Sequence, residues 1–554
     1  MTLHFIGAGR VLLLFLLPIV LSTPCEVQAQ QKISVYDQPP PYVLPDPLPY
    51  SAGIKAENIK KLVDTLASAT MGGRETGEDG QRLAAELIAG RFKAMGLPPI
   101  GDRRSFEQKF RLEKTSWLDL AFKVGDTEYT NREDFYLFHA YNADNPLIQL
   151  KEIIFVGYGI QDGDYNNYKD MDVKGKAVLF YDGEPINSEG KALLGKNGNR
   201  TDWSLNWRRK LEVAKEKGAS LAIIVDSRFK ENLKMNSSQI STRGWSAAES
   251  SAGKKAEKSI HQIFVTPELA GAILGKKSEK VQAAVASLNS KGTFKPVKVK
   301  TDIEIRLDKE LSYLDGSNVI AFIEGEDPIL KEEYVFVTAH YDHLGRVDDV
   351  IYFGADDNAS GTSGVIEIAR AFAEAKKNGA GPKRSVVCML VSGEEKGLLG
   401  SKFYTDFPFF PLKNTIANVN IDMIGRVDKL HTDNPEYIYV IGANRLSSEL
   451  QEIVERNNKI YSKLTLDYKY DAPDDPNHYY ERSDHYNFAQ KDIPVVFFFN
   501  GTHDDYHRPT DTADKINFDM LEKRTKLAFY TAWDLANRPY RLYLDKKPGR
   551  KSDK

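Results

Sequence analysis

Cysteine is scarce: the 554 residues hold two, Cys25 and Cys388. Cys388 lies inside the apolar run VVCMLV, where a thiol reads as packing rather than as a nucleophile. No disulfide framework is expected, and the hydrophobic core must carry stability. An excess of either charge is also missing. The 75 Lys and Arg nearly balance 78 Asp and Glu, for a net charge of -3 and pI ≈ 6.4. Nothing there favours a polyanion, so no nucleic-acid partner is expected. Apolar runs of about 20 residues, the length a spanning helix needs, do not occur, so no membrane span is expected. The glycine-rich stretches lack a P-loop lysine and dinucleotide spacing, which sets nucleotides aside.

The hydrophobic fraction, 41%, is ordinary for a globular chain, and the length allows two or three domains. Near the N-terminus Arg10 precedes the apolar run VLLLFLLPIVLS, and Val27-Gln28-Ala29 follows. This pattern predicts a secretory signal peptide over 1–29, cut between Ala29 and Gln30, and hence export to the periplasm or the medium. Lipid anchoring at Cys25 is the less favoured alternative, because Thr23-Pro24 suits that processing poorly. Residues 30–52, rich in Pro and Tyr, predict an extended lead-in. The first part of the main domain (53–145) begins with two helical patterns on either side of Gly-Gly-Arg-Glu-Thr-Gly, with Gly96 as a C-cap. That loop reads equally as a substrate contact or a plain connector.

Residues 146–300 change character. IIFVGYGI, KAVLFYDG and LAIIVD are strand candidates, LEVAKEKGAS is a helix, and 230–258 reads as a polar loop. The block is expected to be an inserted domain with a core of its own and no catalytic groups. From 301 to 540 strands alternate with helices, which predicts a doubly wound α/β fold around a mostly parallel sheet. Strands are expected at 318–323, 334–339, 386–391, 416–421, 437–441 and 494–499, and helices at 361–376, 445–458 and 518–537. Residues 541–554 form a basic tail, read as a frayed end.

Polar residues cluster where these strands hand over to loops, the edge at which open α/β sheets place their sites. His340 and Asp342 follow one apolar run, Glu394 and Glu395 another, and Asp422 a third. Asp357 lies in a Gly-Ala-Asp-Asp-Asn turn, and Tyr506 and His507 follow VVFFF. Imidazoles and carboxylates together suit divalent cations. Two cations are held if Asp357 bridges them, with Asp356 as its rival for that place. His343, His485 and His503 read as hydrogen-bonding or surface residues rather than ligands, and Asp484 as an aid to substrate or structure.

Taken in order, HYD, GADDNASG, SGEE, NIDM and YHRPTDT resemble the co-catalytic zinc exopeptidases: bacterial leucyl aminopeptidase, glutamate carboxypeptidase II and their relatives. The likeness covers roughly 55–140 and 300–540. The insert, through VGYGI, YNNYKDMDVKGKAVLFYDGEP and AKEKGASLAIIV, resembles the β-rich protease-associated domain. The resemblance implies two zinc ions, with His340 and Asp422 on one, Glu395 and His507 on the other, and Asp357 between them. It implies Glu394 as general base, Asp342 as the partner that orients His340, and Tyr506 as a phenol stabilising an oxyanion. The function it implies is a secreted exopeptidase acting on peptides, an aminopeptidase before a carboxypeptidase. A single-zinc glutaminyl cyclase and a receptor-like binding module are alternatives that the full ligand set disfavours. Oligomeric state stays open.

Overall fold

The computed structural model of the protein describes residues 42–138, 147–237, 240, 244–248 and 260–546. The expected signal peptide, Cys25, the start of the lead-in and the end of the tail lie outside these residues. No helix among the described residues is long and apolar enough to cross a membrane.

The strands used below are β1 (Glu107–Val124), β2 (Leu147–Phe155), β3 (Ala177–Tyr181), β4 (Leu221–Val225), β5 (His261–Val265), β6 (Val297–Ile323), β7 (Tyr334–His340), β8 (Ser385–Val391), β9 (Thr415–Ile421), β10 (Tyr437–Ile441), β11 (Thr465–Asp467) and β12 (Val495–Phe499). They lie side by side in the order β11-β10-β12-β9-β7-β8-β6-β2-β3-β4-β5, with β1 antiparallel to β6. Two runs are parallel: β12-β9-β7-β8 in one half and β2-β3-β4-β5 in the other. The fold is therefore mixed α/β with a large, mostly parallel sheet, as the alternating pattern predicts.

Both runs are buried on both faces, β2 only over its last three residues, as their apolar sequences there require. In β7, Val335, Val337 and Ala339 pack on one side with Phe372 and Trp533, while Phe336 faces Tyr404 and Phe488 on the other. In β3, Ala177 and Leu179 belong to one core, and Val178 and Phe180 to a second. Each such side chain contributes about 1.5–3 kcal/mol when fully buried.

The helices start where their caps allow. Asn517 accepts a hydrogen bond from the Met520 N–H at the head of Phe518–Asn537, and Thr266 accepts one from Leu269 ahead of Pro267–Leu274, with Pro at the first position. Gly96 takes φ 77° after the helix Asp79–Ala94, the left-handed turn expected of a C-cap.

Three expectations need correction. The lead-in is not extended throughout: Leu48–Ser51 is a short helix that begins after Pro47, and Tyr50 packs 5.5 Å from Trp533, whose indole N–H donates to the Pro45 carbonyl. Apolar burial there outweighs the PPII tendency of the prolines. In the stretch read as a polar loop, Phe229–Met235 is helical, anchored by buried Phe229; 238–239, 241–243 and 249–258 lie outside the described residues. The insert expected to be β-rich alternates strands with helices, among them Trp207–Glu216, Pro267–Leu274 and Ser278–Lys291. Its sheet is not separate, because β6 pairs with β2 through its first half and with β8 through its last residues.

Candidate metal centre

The expected site residues converge at the carboxyl ends of the parallel strands β7, β8, β9 and β12. His340 is the last residue of β7, and Asp422 follows β9 directly. Glu394 and Glu395 follow β8 through Ser392-Gly393, where Gly393 takes φ 79°. Asp357 lies in the turn before the helix Gly361–Lys377. Gly354 opens that turn at φ 57°, and a Cβ there would sit 2.3 Å from the Asp357 carbonyl. Only glycine fits both demands.

Asp357 sits between two imidazoles. Its Oδ1 is 3.3 Å from His340 Nε2, and its Oδ2 is 3.1 Å from His507 Nε2. Asp422 Oδ1 is 3.2 Å from His340 Nε2, and Glu395 Oε2 is 3.4 Å from His507 Nε2. His343, expected as a hydrogen-bonding or surface residue, is buried here, with Nδ1 3.1 Å from Glu395 Oε1 and 3.7 Å from Asp357 Oδ2. Two groups within ligand reach result, His340-Asp357-Asp422 and His343-Asp357-Glu395, sharing Asp357. Asp356, the rival bridge, points elsewhere: it accepts from the Gly425 N–H and Asn500 Nδ2 and lies 3.2 Å from His503.

The electrostatics call for a cation. Burial favours a neutral His507, yet bonds to Asp357 and Glu395 push its imidazole up to about 10. Burial likewise opposes a charged His340, and Asp422 and Glu394 overcome it, raising it well above its ordinary value. Burial raises the Glu394 carboxyl well above the usual carboxylate range; Glu395 and Asp422 raise it further, against the pull of His340. Glu394 has no ion-pair partner among the described residues. It opens onto a pocket that Asp357, Asp422, Tyr506 and His507 also line. Met423, Phe497 and Phe499 make that pocket's apolar floor. The Tyr506 ring stacks on His507 at 3.9 Å, and its hydroxyl accepts from Arg482 Nη2 at 3.1 Å.

Further residues support the ligands. His340 Nδ1 lies 3.1 Å from the Asp342 carbonyl oxygen and 3.7 Å from its carboxylate. That carboxylate accepts from Thr76 Oγ1 at 2.8 Å and from the Gly393 N–H at 2.9 Å, so it ties β7 to the turn carrying both glutamates. Ser483 Oγ donates to Asp422 Oδ2 at 2.7 Å. Asp511 accepts from the N–H groups of Asp356 and Asp357, fixing the bridging turn. Arg74, fully buried, donates to the carbonyls of Leu66, Tyr341, Phe353 and Gly354 beneath the site. Sequence reasoning expected Asp342 to orient His340 but missed the roles of Thr76, Ser483, Asp511 and Arg74, although the Gly-Gly-Arg-Glu-Thr-Gly loop stood out. Asp484 is buried and accepts from Ser401 Oγ, and burial pushes its carboxyl up to about 7.

Residues 318–532 match the model of peptidase family M28. Over that segment the chain is similar to peptidase family M28. Its M28 segment holds every ligand candidate named above, while Arg74 and Thr76 come from before it. A probable zinc metalloprotease of Pyrenophora tritici-repentis is 28% identical over 271 residues, 40% of this chain and 52% of that protein. Aminopeptidase YwaD of Bacillus subtilis is 26% identical over 240 residues, 42% of this chain and 46% of that one. The chain thus spans about half the length of the curated relatives it matches. Among solved structures, an aminopeptidase from Aneurinibacillus sp. strain AM-1 covers 91% of this chain and 98% of its own, at 18% identity and a TM-score of 0.48.

Proposed function

We propose that this protein is an exported zinc exopeptidase that removes N-terminal residues from peptides, with two zinc ions shared across Asp357. The observation that carries the reading is the pair of Asp357 oxygens, each 3.1–3.3 Å from a different imidazole, buried His340 and partly exposed His507, that also meets a second carboxylate. Tetrahedral zinc with ligands at about 2.0–2.2 Å sets neighbouring donor atoms roughly 3.4 Å apart. Donor pairs at 3.1–3.4 Å fit that spacing.

His340 and Asp422 would hold one ion, Glu395 and His507 the other. Bound there, the metals would polarise the scissile carbonyl and acidify the attacking water. Glu394 would accept a proton from the attacking water and return it to the leaving amine, and its raised pKa suits a group that must do both. Tyr506 offers a phenol hydroxyl to the oxyanion, held in place by Arg482. Met423, Phe497 and Phe499 receive an apolar side chain of the substrate. Asp342 positions the glutamate turn through Gly393 and Thr76, and His340 through its carbonyl. Residues 146–300 are assigned as an inserted protease-associated domain that covers or restricts the site.

One observation favours a carboxypeptidase as the second reading: the exposed guanidinium of Arg482 lines the same pocket and would take a terminal carboxylate. One peptide offered free, N-acetylated and C-amidated, with and without chelator, separates the two by mass spectrometry. Stepwise N-terminal loss from the free and amidated forms, abolished by chelator, is the expected result. Cleavage of the acetylated but not the amidated form would establish the second reading instead.

A further inference from the structure

The other parallel run carries a cavity of its own. At the carboxyl ends of β3 and β4, about 170 Å³ of space lies among Trp203, Trp207, Phe264, Asp182, Lys210 and Arg228. Cavities near 150 Å³ hold a molecule the size of benzene, so this one suits a single small ligand rather than a peptide. Its place in the sheet is the place at which open α/β sheets bind ligands. It opens to solvent beside Arg228 and Leu205, both exposed.

Charges of both signs line it. Lys210 is 1% exposed, and its ammonium donates to the carbonyls of Tyr181 and Gly183, which leaves the third N–H for a further acceptor. Burial lowers its pKa to about 7, a cost that a bound anion would offset. The Arg228 guanidinium has no ion-pair partner among the described residues. Asp182, half-buried, accepts from the Ser227 N–H and hydroxyl and keeps acceptor capacity. Asp226 differs: the Tyr136 hydroxyl, the Arg228 backbone N–H and the Asn232 amide saturate it, and it serves as wall. A plain cation entering here would meet Lys210, and a plain anion would meet Asp182. A small molecule bearing an ammonium and a carboxylate, with an apolar body against the aromatic rings, satisfies every group.

We propose that this cavity binds a free α-amino acid with an apolar side chain, its carboxylate on Lys210 and Arg228 and its ammonium on Asp182. The site is separate from the metal centre, and the proposal does not rest on the peptidase reading, although an aminopeptidase would release such molecules.

Calorimetric titration of the full chain with L-leucine and L-phenylalanine, before and after chelator treatment, tests it without any turnover. Saturable binding that survives chelation is expected. Asp182→Asn and Arg228→Met should each weaken it about tenfold or more, the loss of one charge-assisted hydrogen bond. Leucinamide and 4-methylpentanoate, each lacking one charge, should bind about tenfold or more weaker than leucine for the same reason. Both substituted residues are at least partly exposed, and circular dichroism checks that the variants fold. No saturable binding up to about 10 mM would overturn the proposal. So would binding lost on chelation, which would place the amino acid at the metal centre, or binding unchanged in both variants.

Discussion

The two parallel runs of the sheet invite comparison, because they share a scaffold and differ in what stands at its edge. Each has four strands buried on both faces at their carboxyl ends, and each presents polar residues where the strands end. After β7, β8 and β9 these are His340, Glu394, Glu395 and Asp422. After β3 and β4 they are Asp182 and Asp226, and the histidine of β5, His261, is that strand's first residue, at the opposite end. Imidazoles at the carboxyl edge turn a ring of acids into metal-ligating groups. Without them the same position leaves a cavity suited to hydrogen bonds and small charged ligands. The architecture places a site, and the residue at the end of each strand decides its chemistry.

The largest expected effect separates the runs at once. Glu394→Gln should lower kcat by about 10³-fold, within the range for a lost general base, while zinc content measured by elemental analysis stays unchanged. Full activity in that variant would remove the distinction drawn between Glu394 and the proposed ligand Glu395. A finer cut lies between the two imidazoles that approach Glu395. His507→Ala should bind one zinc fewer, whereas His343→Ala should keep both ions with affinity reduced about 10- to 100-fold, as for a residue supporting a ligand. Zinc titration with a chromophoric chelator reads the difference, and the reverse pattern would make His343 the ligand.

The runs should also respond to different pH windows. His485, buried against Phe497, has its imidazole pushed down to about 3 by burial, which the Tyr480 backbone only partly opposes. Between that value and the unfolded value of about 6.5 the unfolded chain binds the proton first, so stability falls as pH falls, by about 2 kcal/mol from pH 6.5 to 5. Lys210 is lowered to about 7, so the unfolded chain holds the extra proton from there to about 10.5, and stability in that run rises as pH rises through this range. Hydrogen exchange followed by mass spectrometry should find acid loosening near His485 and alkaline tightening near Lys210. Uniform behaviour over both runs would show that neither group sets local stability. Smallest is the effect of Thr76→Val, which removes one hydroxyl from Asp342 and should cost about tenfold in kcat/KM with zinc retained.

These contrasts bear on what was legible before the structure. The strands of the M28 segment could be read because Val335 to Ala339 and Val386 to Val391 are short, apolar and closed by turns, and the ligand candidates stood out because they follow such runs directly. Thr76, Arg74 and Asp511 carry no such mark. They act through contacts with residues far away in sequence, Thr76 with Asp342 and Arg74 with Phe353 and Gly354. His343 looked like an ordinary polar neighbour of a ligand until the turn at Asp357 folded against it. Lys210 had no mark in the sequence, and tertiary packing buries it. The cavity beside it belongs to the ends of β3 and β4 and to two helices at once, which no single stretch announces.

The long strand β6 has a consequence for synthesis. Its partner β1 pairs with it from Glu107↔Val319 to Val124↔Ile303, so roughly 200 residues separate the two sides of that ladder. At about 5–20 residues per second, β1 leaves the ribosome some 10 to 40 s before the strand that will cover it. For that interval an 18-residue strand offers an unpaired edge to any neighbouring chain. A protein built this way depends on whatever shields nascent strands, and its yield should fall first where that protection is short.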